Sequence, residues 1–160
     1  RTTLVGQLAL YLTMYSPLQM AADLPENYKK FNDAFQFIKD VPCDWSQSIY
    51  LEAEPADYIT VARQDKNSND WYIGGKCDEN GHKSVLKLDF LDKDYVYDCT
   101  IYADAKDADY KNNPKAYKIT HKKVKKGDVL KLIMAPGGGF AVSLEARWNG
   151  EERVERPTKM

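Results

Sequence analysis

The later two thirds of the chain are dominated by apolar residues that recur at every second position. In one such run Leu86, Leu88 and Phe90 alternate with Lys87 and Asp89. Because successive side chains of a β-strand point to opposite faces, this period indicates strands with one face in a core and one in water. About eight short strands joined by turn-rich links predict an antiparallel β-sandwich. The predicted strands are 48–54, 57–64, 70–76, 83–90, 95–103, 116–124, 128–135 and 139–147.

The residues before this region follow an α/β pattern instead. Apolar residues recur at helical spacing over 3–15, and Leu18–Ala22 is typical of a short buried strand. A second helix is predicted over 25–39, because Asp23 can cap it and Pro25 fits its first turn. Helix, strand and helix in this order are typical of an α/β barrel. The predicted fold class is therefore mainly β, with the last helices and a strand of a (β/α) barrel in front of the sandwich.

These patterns divide the chain into a barrel remnant over 1–45, a β-sandwich over 46–148 and a polar tail over 149–160. The helix over 3–15 is apolar on most sides, which is typical of a helix buried between neighbours. We expect those neighbours upstream, so its apolar face should be exposed here and should drive self-association. The sandwich, whose faces can bury one another, is expected to fold without the remnant.

Composition argues against several classes of function. The chain has 23 basic and 24 acidic residues, a balance unlike that of a nucleic-acid-binding protein. No apolar run is long enough to span a membrane. The three cysteines, Cys43, Cys77 and Cys99, form no short metal-ligand pair, and His82 and His121 are the two histidines. No metal site is predicted within this segment.

Two loops resemble ligand-binding motifs only in part. The run Asp65–Asp70 matches the start of an EF-hand calcium loop, but its sixth position is Asp70 rather than Gly. The twelfth position is Lys76 rather than the bidentate Glu, so a polar hairpin loop is favoured. The run Ala135–Phe140 is glycine-rich, but a strand follows it and it lacks the Lys-Ser/Thr ending of a phosphate loop. A hairpin connection is predicted there.

Three residues are candidates for contact with a sugar. Trp71 and Tyr72 could stack on sugar rings, although aromatic residues of a small sandwich also form its core. Asp23 would follow a barrel strand at its C-terminal end, where barrel enzymes build their sites, or would serve only as the helix cap. The chain has no Gly-x-Ser-x-Gly motif, and most of its carboxylates, such as Asp104, fall on predicted solvent faces. No catalytic residue is therefore assigned.

Several sequence blocks resemble glycoside hydrolase family 97, a family of α-glucosidases and α-galactosidases. The opening blocks are Arg1–Leu4, Gln7–Tyr11 and Tyr15–Tyr28, and the later ones fall in the family's order. The later blocks are Phe35–Pro42, Asp57–Arg63, Trp71–Gly74, Leu88–Leu91 and Ala135–Gly139. The resemblance covers about residues 1–146. It implies that the chain follows an N-terminal sandwich and most of a central barrel, and ends in a C-terminal sandwich linked to oligomerisation.

The resemblance also implies what the chain lacks and what surrounds it. The family's catalytic carboxylates and calcium-binding glutamates lie upstream, so this segment should be inactive and calcium is expected only in the full-length enzyme. Its expected partners are the catalytic barrel of the same polypeptide, an oligosaccharide substrate and a homo-oligomer. Family members are typically exported bacterial enzymes, which implies the periplasm or the cell surface.

Two functions are therefore expected from the sequence. The first is a non-catalytic structural or oligomerisation module of an enzyme that cleaves α-glucosides or α-galactosides. The alternative is a carbohydrate-binding β-sandwich module that holds substrate through Trp71 and Tyr72. An exposed aromatic row would favour the alternative, and buried indoles would favour the first.

Overall fold

The computed structural model describes residues 2–13, 31–42 and 44–148, which form two helices and eight strands. The helices are α1 (Leu4–Thr13) and α2 (Asn32–Asp40). The strands are β1 (Trp45–Glu54), β2 (Tyr58–Asp65), β3 (Trp71–Cys77), β4 (His82–Lys87), β5 (Tyr95–Asp104), β6 (Tyr117–Val124), β7 (Val129–Met134) and β8 (Gly139–Trp148). The predicted strand Leu18–Ala22, the candidate Asp23 and the tail 149–160 lie outside the described residues.

All eight strands pair antiparallel in two sheets. One sheet has six strands in the order β1-β2-β3-β8-β5-β6, and the other contains only β4 and β7. At the centre of the larger sheet Val142 of β8 lies between Ile73 of β3 and Ile101 of β5. The predicted antiparallel β-sandwich of about eight strands is confirmed.

The main core lies between the two sheets. Leu86 of β4 and Leu130 of β7 are buried against the larger sheet, where Ile73, Phe140 and Val142 are fully buried. Burying each large side chain of this kind stabilises the fold by about 1.5–3 kcal/mol. The alternation of β4 and β7 is strict, because only their inner faces meet the larger sheet.

A second core lies on the opposite face of the six-stranded sheet, under α1. Val5, Leu8 and Leu12 of α1 are buried against Val61 and Ala141 of the sheet. The expectation that α1 exposes its apolar face is therefore wrong. Self-association of the chain stays a prediction, and this face of α1 is not available for it. The neighbour that buries this helix follows it in sequence rather than preceding it.

Helix α2 completes the same layer. Phe37 is 1% exposed and packs edge-on against Tyr72 and Tyr102, with ring centroids 6.2 and 5.4 Å away. Phe31 and Ile38 are only partly buried, at the margin of this layer. The described helix begins at Asn32, whereas the prediction ran from residue 25 and its earlier part lies outside the described residues.

Two details of the sandwich differ from the predicted pattern. Strand β3 is buried on both faces along most of its length, because α1 and α2 cover the side predicted to meet water. The glycine-rich connection after β7 is not a hairpin, since β7 pairs with β4 whereas β8 pairs with β3 and β5. It crosses from one sheet to the other. Whether the sandwich folds without residues 1–45 stays a prediction.

Candidate functional site

The face of the six-stranded sheet that binds α1 is shaped by a strand glycine. Gly74 of β3 lies directly under the helix, and a Cβ there would be 2.6 Å from Leu12 Cβ and 3.1 Å from the Ala9 carbonyl oxygen. No other residue fits at this distance, so Gly74 sets how closely α1 approaches the sheet. The sequence signal for this contact is the Gly74-Gly75 pair inside a predicted strand.

The backbone amides at the start of α1 have hydrogen-bond acceptors within the protein. Thr3 Oγ1 accepts a hydrogen bond from the Gly6 amide at 3.0 Å, as an N-cap does. The Thr3 amide donates to the Gly137 carbonyl at 3.2 Å, and the Leu4 amide donates to the Pro114 carbonyl at 2.6 Å. Because these amides have partners, the meeting of a helix N-terminus and a glycine-rich loop does not create an anion site here.

Asp104, the last residue of β5, lies beside this helix N-terminus. Its Oδ2 accepts hydrogen bonds from the amides of Ala135 and Gly139 at 3.1 and 2.9 Å, which fixes the inter-sheet connection. Burial raises the pKa of the Asp104 carboxyl group. Hydrogen bonds from Thr3 and those two amides, together with the charge of Lys76, oppose that shift. The carboxylate is also favoured by the positive end of the helix dipole.

Lys76 of β3 completes the polar group at this end. Its Nζ donates to Thr2 Oγ1 at 2.7 Å, and Thr2 Oγ1 donates to the Gly137 carbonyl at 2.7 Å. Burial lowers the pKa of the Lys76 ammonium group, while the nearby Asp104 charge opposes the change. The segment before α1 is thus tied to the β3 strand and to the inter-sheet connection.

Arg63 of β2 lies at the other end of α1. Its side chain is 4% exposed, and its Nε donates to the Leu12 carbonyl oxygen at 2.6 Å. Its Nη1 donates to Ser48 Oγ of the neighbouring strand at 2.7 Å. A cation at the C-terminal end and a carboxylate at the N-terminal end both match the helix dipole. The sheet therefore binds the helix along its face and at both ends.

A second polar cluster joins the two sheets near β1. The Glu52 carboxylate accepts hydrogen bonds from Thr60 Oγ1 at 3.0 Å and from the Ser84 hydroxyl, and His82 Nε2 lies 3.3 Å from it. The His82 ring stacks on Tyr58 with centroids 3.6 Å apart. Ser84, His82 and Glu52 are the residue types of a nucleophilic triad, but Ser84 donates to Glu52 rather than to the imidazole. The cluster therefore lacks the nucleophile–base contact that such catalysis requires.

The two aromatic candidates for sugar stacking are part of the core. Trp71 is 2% exposed and packs against Phe90 with ring centroids 4.7 Å apart, between the sheets. Tyr72 is 5% exposed and contacts Phe37 and Trp45 under the helical layer. Neither ring offers a face to a ligand, so their assignment as sugar-stacking residues is corrected. The observation removes the basis of the carbohydrate-binding alternative.

The loop over 65–70 uses its oxygens internally. Asp65 accepts hydrogen bonds from the Asn67 amide at 3.1 Å and from the Ser68 hydroxyl at 2.8 Å. Asp70 Oδ1 accepts one from the Ala146 amide at 2.8 Å. The two bonds to Asp65 close a polar turn between β2 and β3, and the bond to Asp70 ties the end of this turn to β8.

The cleft that borders Asp104 does not hold a pair of carboxylates. This cleft of about 780 Å³, at the start of β4, is lined by Lys83, Lys106 and Lys118, and Asp104 is its only carboxylate. Among residues 2–13, 31–42 and 44–148 no three His, Cys, Asp or Glu side chains could hold a metal ion. In the same ranges no helix is long and apolar enough to cross a membrane. Asp23, the candidate for a substrate rim, lies outside them and keeps that role as a prediction.

Comparison with known proteins identifies the sandwich. The model of the family described as "Glycosyl-hydrolase 97 C-terminal, oligomerisation" matches residues 44–145. A protein of Bacteroides thetaiotaomicron named retaining alpha-galactosidase is 34% identical over 139 residues, which are 87% of this chain and 20% of that protein.

Solved structures agree. A Glycoside Hydrolase Family 97 enzyme from Pseudoalteromonas sp. strain K8, solved in complex with panose and with acarbose, matches 91% of this chain at 46% identity and a TM-score of 0.89. A beta-arabinopyranosidase matches 89% at 26% identity and a TM-score of 0.71. The chain spans only 23% and 21% of these two proteins, respectively. Since the family model covers more than half of the sequence, this chain belongs to the glycosyl-hydrolase 97 C-terminal, oligomerisation family.

Proposed function

We propose that this chain is the non-catalytic C-terminal module of an α-glycoside hydrolase that acts on α-glucosides or α-galactosides. The relative named retaining alpha-galactosidase and the family 97 enzyme bound to panose and acarbose support this substrate class. Because the chain spans about a fifth of these relatives, hydrolysis is assigned to the upstream part of the polypeptide. Glycoside hydrolysis requires two carboxyl groups that flank one bond.

The module's own role is to fix the end of the catalytic barrel and to support contact between subunits. The observation that carries this proposal is the position of α1 between Asp104 and Arg63, on the face of the six-stranded sheet. The family resemblance places α1 at the end of the barrel. A sheet that binds this helix along its face and at both ends would hold the last barrel segment in one orientation and would shield it from water.

Three further properties are proposed for the whole protein. Calcium is assigned to the upstream part, where the family resemblance places the glutamates that bind it. Location in the periplasm or on the cell surface follows from the family resemblance. A homo-oligomer is supported by the description of the family to which the chain belongs.

The proposal is tested by comparing this chain with the intact polypeptide that contains it. Both are incubated with p-nitrophenyl α-glucoside and p-nitrophenyl α-galactoside, with and without calcium. We expect the intact protein to release nitrophenol and the 160-residue chain to release none above background.

Two results would contradict the proposal. Release by the 160-residue chain that disappears when one of its own residues is changed would reveal a catalytic centre in this segment. An intact protein that is folded and inactive on both α-glycosides would remove the proposed substrate class. Release by the chain that is insensitive to every such change would indicate a contaminating host enzyme.

A further inference from the structure

The surface of the sandwich around the start of β4 has two halves of opposite charge. The first half, here called the acidic corner, consists of Glu54, Asp57, Asp78 and Glu79. The turns after β1 and β3 build it together, since the Asp78 amide donates to the Asp57 carbonyl at 2.8 Å and the Asp57 amide to the Glu54 carbonyl at 3.0 Å. Three of the acids, Glu54, Asp57 and Asp78, line a mostly apolar cavity of about 520 Å³, whose walls also include Pro55 and Lys76. Glu79 follows Asp78 in the turn beside it.

The second half is the outer face of the β4–β7 sheet, here called the lysine strip. Three lysines and three aliphatic residues alternate on it, each lysine opposite an aliphatic residue of the neighbouring strand. The pairs are Lys83 with Ile133, Val85 with Lys131, and Lys87 with Val129. Ile133 is 65%, Val85 59% and Val129 44% exposed, and they are three of the four large hydrophobic residues exposed among the described residues. Exposed apolar side chains grouped in this way mark a contact surface.

The acidic corner and the lysine strip are contiguous. Strand β4 starts at His82, whose ring stacks on Tyr58 beside the corner, and Lys83 is the first residue of the strip. The strip faces away from the layer formed by α1 and α2, because the smaller sheet and the helices cover opposite faces of the six-stranded sheet. Within the described part of the chain, none of these seven charged groups forms an ion pair.

This separation of charge matches the requirement of a two-fold dimer. In such a dimer the same surface patch of both copies is used, so it must be complementary to itself. A dimer in which the lysine strips of the two copies faced each other would bring six lysines together, and repulsion between like charges disfavours this arrangement. A two-fold axis between the halves would instead place the acidic corner of each copy on the strip of the other.

We propose that this composite surface is a dimer interface, in which the acidic corner of one copy binds the lysine strip of a second copy of this chain. The proposal rests on the proposed role in subunit contact and specifies the surface that performs it. Lysine stems can enter the apolar-walled cavity of the corner while their ammonium groups reach its carboxylates. Ile133 and Val85 supply the apolar centre, and the ion pairs set orientation and partner choice.

Two charge-reversed variants test this arrangement. In the strip variant Lys83→Glu is combined with Lys131→Glu, and in the corner variant Glu54→Lys is combined with Asp57→Lys. The control combines Lys111→Glu with Lys122→Glu, two exposed sites outside both halves that give the same charge change as the strip variant. All exchanged side chains are exposed, so circular dichroism and thermal unfolding should match those of the wild-type chain. Sedimentation velocity over a concentration series gives the dimer dissociation constant.

We expect the wild-type chain and the control to dimerise, and each reversed variant to bind itself at least about tenfold more weakly. An equal mixture of the strip and corner variants should recover the dimer, because each half then meets its opposite charge. Ile133→Ser should weaken the dimer without any change of charge, and raising the salt concentration should weaken the wild-type dimer.

The outcomes separate this proposal from the proposed function. A wild-type chain that stays monomeric at high concentration would overturn both. If both reversed variants still dimerise, the assignment of the interface to this surface is wrong, whereas the proposed role in subunit contact is supported. Loss of the dimer in both variants without recovery in the mixture would overturn the corner-to-strip arrangement.

Discussion

The Nε–H group of Arg63 donates a hydrogen bond to the carbonyl oxygen of Leu12, which lies 51 residues earlier in the chain, over 2.6 Å. Carbonyl groups in the last turn of a helix have no partner within the helix. A buried guanidinium satisfies this one, and its charge is favourable at the negative end of the helix dipole. This contact fixes the end of α1 on the sheet and links the segment before the sandwich to β2.

Arg63→Met should lower the free energy of unfolding by about 2–4 kcal/mol, because it leaves the Leu12 carbonyl and Ser48 hydroxyl without a buried charged donor. Arg147→Met is the matched control. Arg147 is exposed and pairs with Asp98 and Glu145, so its loss should cost less than about 1 kcal/mol. Urea unfolding followed by tryptophan fluorescence measures both. Equal effects of the two substitutions would show that Arg63 has no special role.

Leu12→Ala should cost about 2–5 kcal/mol, since Leu12 is fully buried over Gly74 and its truncation leaves a cavity under α1. Leu10→Ala on the same helix should cost roughly half of that or less, because Leu10 is only partly buried. Thermal unfolding of the two variants makes the comparison. A larger loss for Leu10→Ala would mean that the other side of α1 carries the contact.

Much of this fold follows from local signals. The ends of β2 and β5 lie within about one residue of their predicted positions, because alternation and turn residues act over a few positions. The second core, which lies under α1, does not follow from such signals. Arg63 looks like an ordinary strand residue and Gly74 like a strand breaker until α1 is placed over them. The helix comes from a part of the chain that the sequence assigned to another domain.

The candidate site shows the same limit. The sequence places Trp71 and Tyr72 next to each other, and neighbouring strand residues must point to opposite faces. In a sheet with only one buried face, one of the two side chains would meet solvent. Because the sheet is covered on both sides, both are buried. Asp104, which the sequence placed on a solvent face, instead accepts two amides of the inter-sheet connection.

Asp104 should make stability depend on pH in a defined direction. Burial raises its folded-state pKa above the unfolded value, so the folded chain binds the proton more tightly. Its contribution to stability is then fully present below the unfolded pKa and is lost as the pH rises through the folded pKa. Asp104→Asn removes this dependence while it keeps an oxygen acceptor.

The measurement is the difference in melting temperature between Asp104→Asn and the wild-type chain, followed from roughly pH 4 to pH 7. We expect the wild-type chain to lose stability relative to the variant over this range. The other carboxyl groups are common to both proteins, so their contribution to the pH dependence of the melting temperature cancels in this difference. A constant difference across the range, or one that favours the wild-type chain at higher pH, would contradict the assignment.

The thiol of Cys99 should be unreactive in the folded chain. It is 1% exposed between the sheets, and burial raises its pKa to about 11. Cys77 is also buried and its pKa is raised, so both thiols should stay protonated near neutral pH. Iodoacetamide labelling followed by peptide mass spectrometry should modify both only after denaturation. Rapid labelling of Cys99 in the native chain would show that the two sheets separate readily.

Native-state hydrogen exchange tests most directly whether α1 and the sandwich form one folded unit. If the sheet binds α1 as described, the amides of Leu8–Leu12 open with the same free energy as those of β3, within about 1 kcal/mol. Addition of denaturant should then expose both sets in a single transition. The account would be contradicted if the amides of Leu8–Leu12 exchanged at nearly the rate of an unstructured peptide while the β3 amides stayed protected. The sandwich would then be folded without α1 bound to its sheet.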